Sequence, residues 1–389
     1  MPTIVTRGAA SARGFGAFAS LGAGYWILSY YKSASTTIYG PSYINGSGQY
    51  VSLGITGSKT GFLTLSKKGA LVSQTVVSSG MDAYDNSFCS FDSTNNYLYY
   101  AGRISTNDAG YVKMVPGSSP ATLTKGLTPP FSQYIGGRFY SVNPDSSQNV
   151  YTSGFCDRNT GCCIFDYYGI VAKFNSSGTP QWSKYMNIIT GGYTEFLCSI
   201  LNSSQNPIVC GYGYEAAGGS SGSLISFDSS GTILWQRKLS NSTNYIEFDS
   251  VLKDSSDNYY VAGRNGNNSN ILFVKYNSSG VIQFQRAFSG LAAQGLSYAT
   301  IDSSSNVYIV NVLSGNNGII LLKYDSSGNL QWQRQFKGQA SPLFGLQGTG
   351  QIFLDPTDSA VVIPVYATGS TLASDIRLVI KYPTSGSIT

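Results

Sequence analysis

Seven residues before the Asp or Asn that opens each of a series of similar turns stand Asp85, Arg138, Glu195 and Glu247, followed in the next two units by Gly295 and Gly348. Three carboxylates and one guanidinium at a single register make a polar arc. Such an arc could hold a cation, or the hydroxyl groups of a ligand. The plainer alternative is a wet rim of surface charge. A pair such as Glu195 and Glu247 is also the equipment of glycoside hydrolysis. Arg103 and Arg264 close two segments in matching YAGR and VAGR contexts, and Tyr167, Tyr168, Tyr212 and Tyr214 fall in longer segments nearby. Together these residues form the candidate binding set.

Several chemistries are excluded. The chain has no histidine, so a Ser-His-Asp triad, a Cys-His pair and a His-ligated zinc site are ruled out. The six cysteines show no C-x-x-C spacing, which leaves half-buried free thiols or a local disulfide between Cys156 and the Cys162-Cys163 pair. No set of residues makes a convincing catalytic constellation. The chain is therefore expected not to be an enzyme, with no metal and no cofactor. Its net charge of +5 is scattered, without the basic run that tracks phosphates, so no nucleic-acid partner is expected. Charged residues are only 11% of the chain, and Gly, Ser, Asn and Tyr take up the difference. That composition suits an extracellular or particle surface and an adaptable contact face.

The elements that must position the arc are repeated hairpins. Ile319–Phe336 reads IILLKYDSSGNLQWQRQF, an apolar run, a tight turn and an alternating run. Gly328 supplies the positive φ, and Asp325 can bond the turn backbone. The pattern recurs at 271–288, 224–239 and 170–186, and more loosely at 62–76 and 111–124. A second marker, an Asp-Ser-Ser turn before a strand that often ends in glycine, recurs as DSSQNVYTSG from Asp145, NSSQNPIVCG from Asn202 and DSSDNYYVAG from Asp254. Each unit of about 50 residues thus offers four short strands, which is the signature of a propeller blade. Seven units predict an all-β, seven-bladed propeller.

The ends predict how the ring closes. The last unit stops after its third strand near Tyr382, and the chain begins with an orphan strand, Tyr25–Tyr31, that resembles Leu330–Phe336. The first strand is expected to complete the last blade. Two segments follow: an extended arm, 1–24, and the propeller, 25–389. The arm carries Arg7, Arg13, Phe15 and Phe18 among Gly and Ala, cannot fold alone and is too short and glycine-rich to span a membrane.

The pattern DSSSNVYIV…GIILLKYDSSGNLQWQRQF resembles the bacterial seven-bladed propeller repeats of the SBBP class, in which a D-x-x-G-N-x-Y-V-x-G strand alternates with a K-x-D-x-x-G-x-x-x-W hairpin. The resemblance covers about 25–389 and speaks for fold rather than function. GAASARGFGAF in the arm resembles N-terminal segments of bacteriophage tail and virion proteins. The hairpin also resembles repeats of quinone-binding dehydrogenase propellers, without a matching set of quinone and metal ligands.

Trp182, Trp235, Phe284 and Trp332 recur at one register after the turn glycine, which argues for packing between blades rather than sugar stacking. Lys173, Lys275, Lys323 and Lys381 and Arg237, Arg286 and Arg334 recur as well, and read as the solvated face of the outer hairpins. Loop length varies at the end of the blades opposite the turns, notably over 155–169 and 211–222, which marks that end as the binding face. The expectation is a virion or extracellular-surface structural protein, tail-associated or capsid-decorating. Its arm would dock into other assembly proteins or a homo-oligomer, and its loop face would bind a host glycan or a neighbouring protein. A secreted lectin-like propeller and a glycan-cleaving hydrolase are the alternatives.

Overall fold

The computed structural model describes residues 26–31 and 42–386, except 46, 48, 57–58, 67–70, 79–80, 83–87, 105–107, 116–122, 131–133, 162–163, 190–191, 215–218, 241–244, 267–269, 291, 316–317, 337–344, 356 and 369–375. The described chain is strand and turn, arranged as seven antiparallel sheets in chain order. Sheet 3, as an example, runs Tyr134–Pro144, Val150–Gly161, Ile164–Phe174 and Pro180–Met186, each strand paired with the next. Sheets 4, 5 and 6 repeat this order within 193–239, 246–288 and 293–336. The first strands of sheets 3, 4, 5 and 6 contact one another in succession, as blades do around a common axis. This architecture fits a seven-bladed β-propeller.

Sheets 2 and 7 depart from the four-strand pattern because the first strand of each is in two pieces, Met81–Asp82 with Cys89–Asp92 and Gly345–Thr349 with Phe353–Leu354. In sheet 7 the outermost place is taken by the start of the chain. Trp26–Tyr31 pairs antiparallel with Ile376–Pro383, Trp26 opposite Lys381. Trp332 stands opposite Lys323 in the same way, so the first strand has the register of a native fourth strand.

The hairpin turns are held by their own side chains. Asp325 Oδ1 accepts from the backbone N–H of Ser327 at 3.0 Å and of Asn329 at 2.8 Å, and Gly328 takes φ +80°. The turns between first and second strands use the same Asx chemistry with a non-glycine left-handed residue, Gln148, Gln205, Asp257 or Ser305, at φ between 56° and 63°. Two of those side chains, Asp257 and Gln205, reach the preceding sheet's turn. The Asp257 carboxylate accepts from Ser203 N–H at 3.1 Å, and Gln205 Oε1 accepts from Ser146 N–H at 3.0 Å.

Blades also interlock at the outer hairpins. A Cβ on Gly231, Gly280, Gly328 or Gly386 would come within 2.7–2.9 Å of Trp182, Trp235, Phe284 or Trp332 of the preceding sheet, so these glycines leave room for the rings as well as adopting positive φ. Trp182 Nε1 donates to Ser229 O at 3.0 Å, and Trp332 Nε1 donates to Thr384 O at 3.3 Å. The aromatic register is therefore inter-blade packing. The reading of the recurring lysines and arginines as a merely solvated face is corrected. Lys173, Lys275 and Lys323 donate to turn carbonyls of the next sheet, and Arg237 and Arg286 donate to Gly280 O and Gly328 O at 2.7 and 3.2 Å. Each cation lies over its own sheet's aromatic ring while its donors reach across.

Second and third strands are buried on both faces because each sheet is sandwiched between two others. Val307–Leu313 is buried throughout. Each such Val, Leu or Ile contributes roughly 1.5–3 kcal/mol. Towards the axis, Phe88 before the second piece of sheet 2's first strand packs on Tyr298 of sheet 6, ring centroids 5.5 Å apart.

Candidate functional site

The strand-ending glycines of the second marker explain how the arc is placed. In sheets 3, 4 and 5 a Cβ on Gly154, Gly211 or Gly263 would stand 2.0 Å from the carbonyl oxygen of Arg138, Glu195 or Glu247 respectively. The backbone of each arc residue is thus seated directly on a glycine of the neighbouring strand. Immediately afterwards each first strand has a bulge, between Phe139 and Ser141, Phe196 and Cys198, and Phe248 and Ser250. A bulge bends the strand and re-aims side chains. Three units therefore present unlike residues by one backbone device, at the end of the sheets away from the Asx turns.

Glu247 stands opposite Arg264 in the strand register, and its Oε2 accepts from Arg264 Nη2. Arg264 also bonds Asp249, Nε to Oδ2 at 3.2 Å. Asp249 is fully buried and accepts from Ser297 N–H of sheet 6 at 2.8 Å. Glu195 stands opposite Tyr212 and accepts from Tyr140 Oη of sheet 3 at 3.1 Å. The Arg138 guanidinium lies over Tyr140 and Phe155, 5.8 and 5.2 Å from the ring centroids. Asp157 feels the charges of both Arg138 and Arg103. The arc is therefore continuous from sheet 2 to sheet 6, and each link crosses a strand or a blade boundary.

Burial dominates its electrostatics. It pushes the Glu247 carboxyl up to about 7, against the pull of Arg264 and with the help of Asp249 and Glu195. Burial also raises Glu195, although Tyr140, Arg138 and Tyr212 favour its ionised form. Asp249 and Asp157 are raised for the same first reason. For Arg264 burial works against the cation, and Asp249 and Glu247 outweigh it, so its pKa is raised.

Beside the arc runs a chain of aromatic rings. Phe155 packs on Tyr167 at 5.4 Å, Tyr167 on Tyr193 at 5.3 Å, Tyr193 on Tyr214 at 4.9 Å with planes 10° apart, and Tyr214 on Tyr245 at 5.7 Å. Tyr214 and Tyr245 also share a 3.1 Å hydrogen bond between their hydroxyls. The segments expected to be loops here are partly strand. Val150–Gly161 and Ile164–Phe174 stay paired out to Gly161 and Ile164, so Tyr167 sits on a long hairpin rather than in a loop. Alternation puts Tyr168 on the opposite face from Tyr167, away from the ring chain.

The structure thus brings together Arg138, Glu195, Glu247, Arg264 and Tyr212, sets Tyr167 and Tyr214 alongside, and links Arg103 through Asp157. Asp85 and the arm residues Arg7, Arg13, Phe15 and Phe18 lie outside the described residues. Tyr140, Asp249, Asp157, Tyr193 and Tyr245 were not read from the sequence. Tyr140 and Asp249 stand two residues after Arg138 and Glu247, and Tyr193 and Tyr245 two before Glu195 and Glu247, so the strand period carried the signal. Cys89, Cys156, Cys198 and Cys210 are buried free thiols, which sets aside a disulfide to Cys156. Among the described residues no group of three or more His, Cys, Asp or Glu could hold a metal ion, and no helix is long and apolar enough to cross a membrane.

No protein-family model matches the chain. No curated protein matches it. Among solved structures it is similar to an oligogalacturonate lyase in complex with manganese, at 9% identity over 92% of this chain and 92% of that chain, TM-score 0.52. It is similar to a protein of unknown function from Dyadobacter fermentans, at 10% identity over 74% of this chain and 92% of that chain, TM-score 0.50. A polysaccharide lyase shares 7% identity over 98% of this chain and 96% of that chain, TM-score 0.49. The first two likenesses show the fold alone, a propeller-like one. The likeness to a lyase corrects the expectation that the chain is not an enzyme, because this fold does not exclude catalysis.

Proposed function

We propose that this chain is a glycan-binding propeller of a virion or extracellular surface, with its site on the loop face of sheets 3–5. The observation that carries the reading is the half-buried polar arc of Arg138, Glu195, Tyr212, Glu247 and Arg264 bordered by half-buried tyrosines. Sugars need that combination of fixed donors and acceptors for hydroxyls with aromatic faces for their apolar sides. The charge-poor, Tyr-, Ser-, Gly- and Asn-rich composition supports a surface location. The resemblance of the arm to phage tail and virion segments favours docking of residues 1–24 into an assembly. The propeller is of the SBBP-like repeat type, its ring closed by the pairing of the first strand with the last.

The test is a glycan array probed with the full chain and with Glu195→Gln. Selective binding by the native chain that the variant loses supports the reading. An array with no binding, or binding unaffected by Glu195→Gln, refutes it.

A second reading, cleavage of the bound glycan, is favoured by the Glu247 carboxyl. With its pKa pushed up to about 7, it holds a proton near neutral pH and could act as a general acid beside Glu195. Glu247→Gln that keeps glycan binding and loses product formation supports this reading. Unchanged product formation in that variant contradicts it.

A further inference from the structure

Two cysteines face each other beneath the arc. Cys198 lies on the first strand of sheet 4, Tyr193–Leu201, and Cys210 on the second, Pro207–Tyr214. They are direct partners in the antiparallel register. Residues so placed have Cα atoms about 4.5–5.5 Å apart, inside the ~4.4–6.8 Å that a disulfide spans. The Cys210 thiol also hydrogen bonds with that of Cys198, so both sulfur atoms are aimed at one place. Among the described residues no other cysteines are paired in this way. Cys89 stands opposite Tyr100, and Cys156 opposite Gly137 and Tyr168.

The pair adjoins the candidate site. Glu195 and Tyr212 are themselves register partners, and the bulge between Phe196 and Cys198 separates them from the cysteines. Alternation puts Cys210 and Tyr212 on one face of their strand. The matching positions are Ser141 and Ser153 in sheet 3 and Ser250 and Ala262 in sheet 5. The place takes small side chains, and of these three sheets sheet 4 alone puts a thiol on both strands. Both cysteines are buried, and Cys210 Sγ also donates to Phe248 O of sheet 5 at 3.7 Å. Burial first, and then Cys198, raises the Cys210 thiol well above its usual range, so the closed propeller holds little thiolate there. Oxidation therefore belongs to folding, after the two strands of sheet 4 have paired and before sheet 5 covers them.

We propose that Cys198 and Cys210 form a cross-strand disulfide when the chain folds in an oxidising compartment, clamping together the strands that carry Glu195 and Tyr212. The structure described above is the dithiol form. The oxidant is a low-molecular-weight disulfide such as oxidised glutathione. One cysteine thiolate attacks it, forming a mixed disulfide and releasing one small thiol. The second cysteine thiolate attacks the protein sulfur of that mixed disulfide and releases the other small thiol. The two protein thiols thus give up two electrons and two protons, and the oxidant becomes two thiols. The bond ties the bulged strand to its neighbour and removes freedom from the unfolded chain.

The test is a peptide map of the full chain produced in an oxidising compartment and, separately, in a reducing one. Free thiols are alkylated after unfolding, and the digest is analysed by mass spectrometry without reduction. The oxidised preparation should yield the Cys198 and Cys210 peptides joined and lighter by two hydrogens than their sum. The reduced preparation should yield both alkylated. The oxidised chain should also unfold at a temperature roughly 3–6 °C higher. Cys198→Ser and Cys210→Ser should each abolish that difference between the preparations. If both cysteines are alkylated in the oxidised preparation, or either is joined to a different cysteine, the proposal falls. A mapped bond with an unchanged unfolding temperature overturns its role as a clamp.

Discussion

The two ends of the same blades treat the same side chains in opposite ways. At the turn end, Asp254, Asp325 and Asp355 accept hydrogen bonds from their own turn backbone and from Asn, Ser or Lys neighbours, Asp257 accepts from Lys253 and from Ser203 of the preceding turn, and the pKa values of all four are lowered despite some burial. At the loop end, Asp157, Glu195, Glu247 and Asp249 are raised, with burial the first cause in each. A carboxylate given local backbone donors stabilises a turn. One buried without enough of them is held at a cost, and such groups concentrate where ligands bind or chemistry occurs. The turn end is repeated from blade to blade. The loop end of sheets 3–5 presents different residues in each, although a common glycine and bulge set its backbone.

The contrast can be broken most severely at Arg264. Arg264→Ala leaves Glu247 and the fully buried Asp249 without their cation and should cost about 3–5 kcal/mol in urea unfolding, whereas Lys253→Ala at the turn end, whose ion pair with Asp257 is partly exposed, should cost about 1 kcal/mol or less. A loss of similar size at both positions would erase the distinction.

The pH dependence separates the two ends by sign. Glu247 is raised from 4.5 to about 7, so between those values the folded chain binds more protons than the unfolded one. Its contribution is fully present below pH 4.5 and is lost as pH rises towards 7, on the order of 3 kcal/mol in all. The lowered turn carboxylates behave oppositely. Their contribution is present above their ordinary pKa of 3.8 and is lost as pH falls further. Stability of Glu247→Gln minus that of the native chain should therefore increase from pH 4.5 to 7. A flat difference would mean that Glu247 titrates normally.

A smaller effect tests the shared backbone device. Gly211→Ala places a Cβ against the Glu195 carbonyl and should cost about 1–3 kcal/mol while displacing the arc. At the turn end, Ser305→Gly exchanges a left-handed serine at φ 63° for a residue without that strain, and the greater freedom of glycine in the unfolded chain offsets the gain. A change within about 0.5 kcal/mol is expected for Ser305→Gly by thermal or urea unfolding.

The fold was legible because its signals are periodic. The turn glycines, the aromatic register and the orphan strand at 25–31 each repeat or complete a unit, and the structure places Trp26 opposite Lys381 where a fourth strand requires it. The arc was legible in part, since counting back from the Asx turns gives Arg138, Glu195 and Glu247. Asp249 and Tyr140 stand at the i+2 positions of Glu247 and Arg138, so the strand period carried them, and they escaped because counting back from each turn picks out one register position per unit. Tyr193 and Tyr245 escaped because a half-exposed tyrosine is informative only once its neighbours are known. The outer lysines and arginines misled because their aliphatic stems cross a blade boundary that the sequence does not draw.

The account's central claim is that the loop end of sheets 3–5, and not the turn end, is where this protein meets its ligand. The most direct measurement is a crystal structure of the full chain soaked with an oligosaccharide that it binds in solution. The account predicts sugar density in contact with Glu195 and Tyr212 at the loop end of sheets 3–5. Density at the Asx turns or on the outer strands, with the arc unchanged, would contradict it.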